Sequence, residues 1–223
     1  MNFIQAFSLN NIRFLLQGLW VTLQIAGVSI FLSIILGILF AILRYKNIPI
    51  FSKILALIID TIRNLPLLLI IFFTYFALPQ LGIQFNLFWS ATAALTIFES
   101  AMISEIIRGG LIALPKGQTE AGIASGLTHN QVMFHILLPQ AWRQTLPSVV
   151  SQLISLIKDT SLATIISLPE LTHNAKIIYG QNTQHVLPMF IALACLYFIV
   201  CFALSRLSKH LSKHLSKRRM KLA

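Results

Sequence analysis

The chain has very little acid. Six Asp and Glu stand against 17 Lys and Arg in 223 residues, and charged residues make up only 10% of the whole. A soluble domain carries about 25%, so an ordinary water-facing surface is excluded. Cysteine is nearly absent. Cys195 and Cys201 share one apolar block and form no C-x-x-C, which points to packing rather than a metal or redox site. No G-x-x-x-x-G-K-[ST] occurs, so the chain does not cradle ATP phosphates by that device. It offers no nucleophile–base pair on expected loops and no metal-ligand cluster. A signal peptide is also excluded as an expectation. The first apolar run, Phe14 to Leu43, is far longer than an h-region of about 7–15 residues.

What is present is oil. Hydrophobic residues make up 57% of the chain, and they come in blocks rather than at strand or amphipathic-helix period. This composition predicts an all-α integral membrane protein, one transmembrane domain over residues 1–223. In a soluble protein the basic excess would suggest nucleic acid. Here the charges lie between and after the apolar blocks, so they read as orientation signals and no nucleic-acid partner is expected.

A helix needs about 20 apolar residues to cross the hydrocarbon core. Five spans follow, at about 14–43, 54–78, 89–107, 147–168 and 186–204. Gly27 and Gly37 in the first are candidates for close helix approach. The second needs residues back to Ile54 for length, which puts Asp60 and Arg63 at the membrane edge. Three residues apart, they share a face and form a candidate structural ion pair. "RGG" is expected to end the third span.

Basic residues follow the first span (Arg44, Lys46, Lys53), the third (Arg108, Lys116, Arg143) and the fifth. Only Arg13 and Lys176 lie on the other side. The positive-inside rule then places the N-terminus outside and the C-terminus in the cytoplasm. The basic tail, 206–223, repeats "LSKHLSKHLSK". Its stripe of Leu207, Leu211 and Leu215 reads as a helix resting on anionic lipid. His210 and His214 lack a third ligand and do not make a metal site.

Residues 111–140 break the oil. Pro115 and Gly117 mark a turn, and Thr119 is expected to cap a helix with Glu120 in its first turn. Ala121, Gly122, Ala124 and Ser125 are small, which lets another backbone approach. Gly126 is placed to end the helix in the left-handed conformation. A second short helix is expected over about Asn130 to Leu138, stopped or bent by Pro139. This bracket faces the cytoplasm and reads either as a docking site or as a loop packed on its own protein.

Glu120, Ala121, Gly122, Gly126, Ile136, Leu138 and Pro139 stand at the spacing of the EAA motif of ABC importer permeases, with Gly122 in place of the second Ala. With "GLWVTLQIAGVSIFLSIILGILFAILR", "IRNLPLLLIIFFTYFALP", "SEIIRGGLIALPKGQTEAG" and "LIKDTSLATII", nearly the whole chain resembles the polar amino acid permease subfamily. That resemblance implies a five-helix type I importer core in the bacterial cytoplasmic membrane. It also implies a second permease subunit, two cytoplasmic ATPases that carry ATP and Mg, and an external binding protein. No cofactor is implied in this chain, which would translocate by alternating access and catalyse nothing. The bracket would be the coupling helix. The "KDTSL" and "RGGLIALPKGQ" contexts favour glutamine or glutamate, with arginine, cystine and histidine left open, as are homo- and heterodimer.

Ionisable groups inside spans cost at least a few kcal/mol each by insertion scales and are functional candidates. An amino acid loses water on crossing, so its ammonium and carboxylate need partners. The candidates are Glu99, Glu105 and Asp159, with Thr160 and Ser161 as hydroxyl partners or as donors to their own backbone. Glu99 has a structural alternative, a pair with Lys158, and Glu105 has one with Arg108. Two other function classes stay in play. One is an ion-coupled secondary transporter or channel, which leaves the bracket unexplained and fits poorly with five spans. The other is a membrane anchor for a cytoplasmic enzyme.

Overall fold

The computed structural model describes the backbone of residues 3–219 and the side chains of 5–206. The tail stripe Leu207, Leu211, Leu215 and the pair His210, His214 fall outside the described side chains. After a turn of helix at Phe3–Ala6 come α1 (Leu9–Tyr45) and α2 (Phe51–Asn64). Next is α3 (Leu67–Phe72), prolonged by wider and tighter turns to Leu81. Then come α4 (Leu87–Ile112), α5 (Lys116–Ala124), α6 (His129–Ile166), α7 (Leu171–Gln181) and α8 (Val186–Arg219). The described backbone is helical and contains no strand. Helices are the one open-ended way to satisfy each backbone group within a segment when lipid offers no partner.

Four helical runs (α1, α4, α6 and Thr183–Arg206, a short turn leading into α8) are long and apolar enough to cross a membrane, and α2 with α3 makes a fifth if counted as one. They are not one straight rod. The chain bends by 106° between them, so the span expected at 54–78 is corrected. Pro66 is the reason: its ring disfavours helical backbone at Leu65, which is extended at φ −88°, ψ 144°.

The core is a seam of small residues. Ser29, Ser33 and Gly37 of α1, four apart, face Thr92, Thr96 and Ser100 of α4. Ser29 Oγ donates to the Thr92 carbonyl at 3.4 Å, and Ser33 Oγ to the Ser29 and Thr96 carbonyls at 2.5 and 3.5 Å. Oil does not drive helices together in oil, so close backbones and hydrogen bonds between helices must do so. A Cβ on Gly37 would sit 2.6 Å from Ile103 Cγ2, whereas one on Gly27 would meet nothing within 4 Å. Of the two glycines expected to permit close approach, only Gly37 does so in this chain. "RGG" does not end the third span. α4 runs on to Ile112, and Gly110 packs against Thr145 and Ala141 of α6.

One further expectation is corrected and another is narrowed. α5 starts at Lys116 behind Pro115, so Thr119 is not its cap. The helix expected to stop or bend at Pro139 does not stop there. α6 starts at His129 with a capping box between Thr128 and Gln131. It widens to a π turn over Val132–Leu137 and then runs through Pro139 and Pro147. The π turn re-spaces the hydrogen bonds just where Pro139 cannot donate. Residue 147 is therefore interior to the helix. α7 is a short helix between the last two long ones.

Gly37→Ile is expected to destabilise the assembled protein by about 1–3 kcal/mol through overpacking, while Gly27→Ala on the same helix changes it by less than about 0.5 kcal/mol. Thermal unfolding of the purified proteins tests the pair. Equal midpoints would show that the seam does not set the packing.

Candidate functional site

Polar groups gather at three levels along the bundle. Midway, Glu99 projects from α4 and is only 1% exposed. Gln152 of α6 donates from Nε2 to its Oε2 at 3.3 Å, and its Oε1 has no hydrogen-bond partner. Asp159, at the end of the α-helical part of α6, is near enough to act on Glu99 as a like charge. The alternative pairing of Glu99 with Lys158 is not found. Lys158 is exposed, and Glu99 has Gln152 instead. Thr160 is fully buried and donates to the Ile157 carbonyl at 2.6 Å, and Ser161 is half-buried beside it.

Glu105 does not join them. Arg44 Nη1 lies 2.9 Å from its Oε2, and Arg108 grips both its oxygens. Arg44 also approaches Asp60 at 3.7 Å, and Arg63 approaches Asp60 at 3.5 Å. Three arginines and two carboxylates thus tie the ends of α1, α2 and α4. Of the two readings of Glu105, the arrangement has the ion pair with Arg108, and its oxygens are occupied at the end of the bundle.

The same end carries the 116–139 bracket. Gly126 takes φ 85° and turns the chain after α5. Gly122 is small for an internal reason. A Cβ there would meet Val132 Cγ2 at 2.8 Å and Ile136 Cδ1 at 3.2 Å. Val132, Met133 and Leu137 plug into a core with Ala41, Ile42, Ile103, Ile107 and Leu111. Leu138 and Pro139 are half-buried in the same run, and Gln140 Nε2 donates to Gln118 Oε1 at 2.7 Å. Lys46 Nζ donates to Asn130 Oδ1 at 2.9 Å. Outward face Glu120, Ala121, Ile123 and Phe134, beside an open cleft of about 380 Å³ between Tyr45, Pro115, Thr119 and Leu137. The bracket is therefore anchored on one side and presents apolar groups on the other.

At the opposite end is a residue the sequence reading passed over. Glu170, the sixth acid, is fully buried. Its Oε1 accepts from the His173 N–H at 2.7 Å, and its Oε2 from the Thr172 N–H at 2.8 Å and from the Tyr197 hydroxyl at 3.3 Å. It caps α7. Leu171 N–H donates to Thr22 Oγ1 at 3.2 Å, and Asn174 Nδ2 to the Phe14 carbonyl at 2.8 Å, so α7 is clipped to α1. The signal was present: an acid just ahead of a helix start suits its N-terminus. Burial pushes the carboxyl up from 4.5 to about 7, against the hydrogen bonds that favour its charge. Burial and Lys176 hold His173 below its ordinary value.

Residues 33–217 match the family described as binding-protein-dependent transport system inner membrane component. A probable glutamine ABC transporter permease of Bacillus subtilis, GlnP, is 52% identical over 92% of this chain and 95% of its own length. The L-cystine permease TcyB of the same organism is 35% identical over 84% and 80%. Its arginine permease ArtQ is 34% identical over 94% and 95%. The fold matches a crystallised amino acid ABC transporter solved with histidines, at TM-score 0.82 and 28% identity over 91% of this chain and 94% of that one. It also matches the inward-facing MetNI methionine transporter at TM-score 0.75, 22% identity, 92% and 99% coverage, a likeness of fold.

Glu170 generates a pH prediction. A carboxyl whose folded value is raised contributes stability that is complete below 4.5 and lost as pH climbs to about 7. The unfolding midpoint should fall over that window, and Glu170→Gln should flatten the fall. Identical slopes in the two proteins would show that the carboxyl does not hold its proton in the fold.

Proposed function

We propose, for a chain that belongs to the family of binding-protein-dependent transport system inner membrane components, a polar amino acid of glutamine or glutamate type as cargo. The chain is a multi-pass subunit of the cytoplasmic membrane, an ABC importer permease that translocates while a separate subunit hydrolyses ATP. The family works with a partner permease, an ATPase and a substrate-binding protein. The finer composition proposed is two permeases, like or unlike, with two ATPases and an external binding protein. The proposed orientation is N-terminus outside and C-terminus inside. The 52% identity to a glutamine permease supports the cargo; arginine and cystine permeases are more distant.

Glu99 is the observation that carries the residue-level reading. A carboxylate buried at mid-helix with one oxygen unpartnered is costly unless something supplies the partner. The ammonium of an amino acid does so. Asp159 is a second acid near this site, and Thr160 and Ser161 border the same turn. Glu120, Ala121, Gly122, Gly126, Ile136, Leu138 and Pro139 form the coupling bracket, with Ile123 and Phe134 turned outward toward the ATPase. ATP binding closes the ATPases, the bracket moves with them, and the permease pair opens outward to the loaded binding protein. Hydrolysis resets it inward. Asp60 and Arg63, with Arg44, Glu105 and Arg108, brace the helix ends.

Uptake of labelled glutamine into vesicles holding the whole transporter tests this. Glu99→Gln should lower uptake efficiency about 10- to 100-fold, the worth of a charge-assisted hydrogen bond at about 1.5–3 kcal/mol. Uptake at the wild-type level in Glu99→Gln would remove it from the path. Gly126→Arg puts a bulky cation where φ is 85°, and it should abolish uptake while the protein still inserts and assembles. Uptake that survives inactivation of the ATPase would overturn the importer reading and favour the ion-coupled one. If Glu99→Ala and Asp159→Ala both leave uptake untouched, the chain contributes anchorage only.

A further inference from the structure

We propose that α2 lies flat in the phospholipid interface at the end of the bundle that carries the bracket, its outer apolar arc sunk at the headgroup–acyl boundary. Three observations place it there. First, two contacts tie it to the end of α1. Ser52 Oγ, near its start, donates to the Leu43 carbonyl at 2.9 Å. Asp60, about 12 Å further along a helix axis, is still within 3.7 Å of the Arg44 guanidinium, on the next residue of α1. Arg44 in turn holds Glu105, near the end of α4, so α2 crosses the ends of α1 and α4. Lys46 bonded to Asn130 puts the bracket at the same end. Second, α2 follows a membrane helix and leads into an apolar one. Five residues separate it from α1, and the 106° bend at Leu65–Pro66 turns it into α3.

Third, its surface is divided into three arcs. Ser52, Leu55, Ala56, Ile59 and Ile62 turn inward. Phe51, Ile54 and Ile58 are 48%, 54% and 50% exposed, and at helical period they share an arc of about 60°. Lys53, Asp60 and Asn64 share a polar arc of about 40°, centred about 130° from the apolar one. Leu57, 69% exposed, lies between them. Apolar and polar arcs set side by side on a helix across the ends of spans fit a surface that is oil below and water above.

The occupant is lipid rather than a second copy, because of charge. Lys53, Arg44, Arg63 and Arg108 outnumber Asp60 and Glu105 at this level. A basic end suits the phosphates of a monolayer. Two copies joined through this face would bring two such ends together. Calling the end cytoplasmic rests on the function proposed above. The depth of α2 does not, so the measurement below is independent of transport.

The test uses Lys53→Cys, Ile54→Cys and Ile58→Cys with Cys195→Ser and Cys201→Ser. Each is nitroxide-labelled in the assembled transporter, reconstituted in phosphatidylcholine–phosphatidylglycerol bilayers. Labels at Ile54 and Ile58 should be open to oxygen, closed to a water-soluble nickel chelate, and shallow. The oxygen-to-nickel accessibility ratio at Ile58 should exceed that at Lys53 several-fold. A depth near the bilayer centre at Ile58 would mean that α2 crosses the membrane and would overturn the proposal. Exclusion of both reagents at Ile54 and Ile58 would mean that another subunit covers the arc, and would overturn it equally.

Discussion

The close approach of α1 to α4 is the contact on which the rest of the bundle hangs. Lipid tails are as apolar as leucine, so burying oil gains little and helices meet where their backbones come near. The side of α1 turned inward is accordingly its small and polar side: Gly18, Thr22, Ser29, Ser33, Gly37 and Ala41 are buried, while Trp20, Phe31 and Ile35 face out. This inverts the arrangement of a soluble helix. It also makes α1 a spine, since 37 residues reach about 55 Å. At one end Gly18 and Thr22 receive α7, in the middle the seam receives α4, and at the other end Arg44 gathers Glu105 and Asp60.

Scarcity of acid makes the placement of each carboxylate informative. Asp60 and Glu105 are spent on arginines at one end. Glu170 is spent on two backbone N–H groups and a tyrosine hydroxyl at the other. Glu120 stands exposed on the bracket. That leaves Glu99 and Asp159 between the two ends, with one oxygen of Glu99 unpartnered. On the proposed reading, carboxylates partnered at both ends and an incomplete one in the middle suit a carrier, because the missing partner has to arrive and leave.

Much of this was legible. Apolar blocks give helices directly, since length and hydropathy decide insertion, and the 116–139 segment stood out because it lacks them. Direction was not legible. A hydropathy run records how much oil lies in a row, and the span reaching back to Ile54 met the length requirement on paper while Pro66 turned the chain by 106°. Pro139 left two readings open, a stop or a bend, and a π turn over Val132–Leu137 carries the helix through it. Which partner a carboxylate takes also depends on helices far apart in sequence: Glu105 could be given Arg108 by spacing, but Arg44 is 61 residues away. Glu170 was missed because it lies outside every span, where a charge ordinarily needs no explanation.

The passage through Pro139 bears on how motion could travel. Had the helix stopped there, the bracket would hang on a hinge and its displacement would dissipate in the joint. Instead His129–Ile166 is one helical run. It holds Val132, Met133 and Leu137 in the core under the bracket and Gln152 and Asp159 at the level of Glu99. A packed helix moves as a body, since cores switch between arrangements rather than deform continuously. On the proposed reading, a push at the bracket shifts Asp159 relative to Glu99, two residues on different helices. The weak 3.3 Å contact between Gln152 and Glu99 is the one hydrogen bond that such a shift would have to break there. The coupling then needs no chain of small relays, only a stiff α6 between a well-anchored end and an incompletely partnered middle.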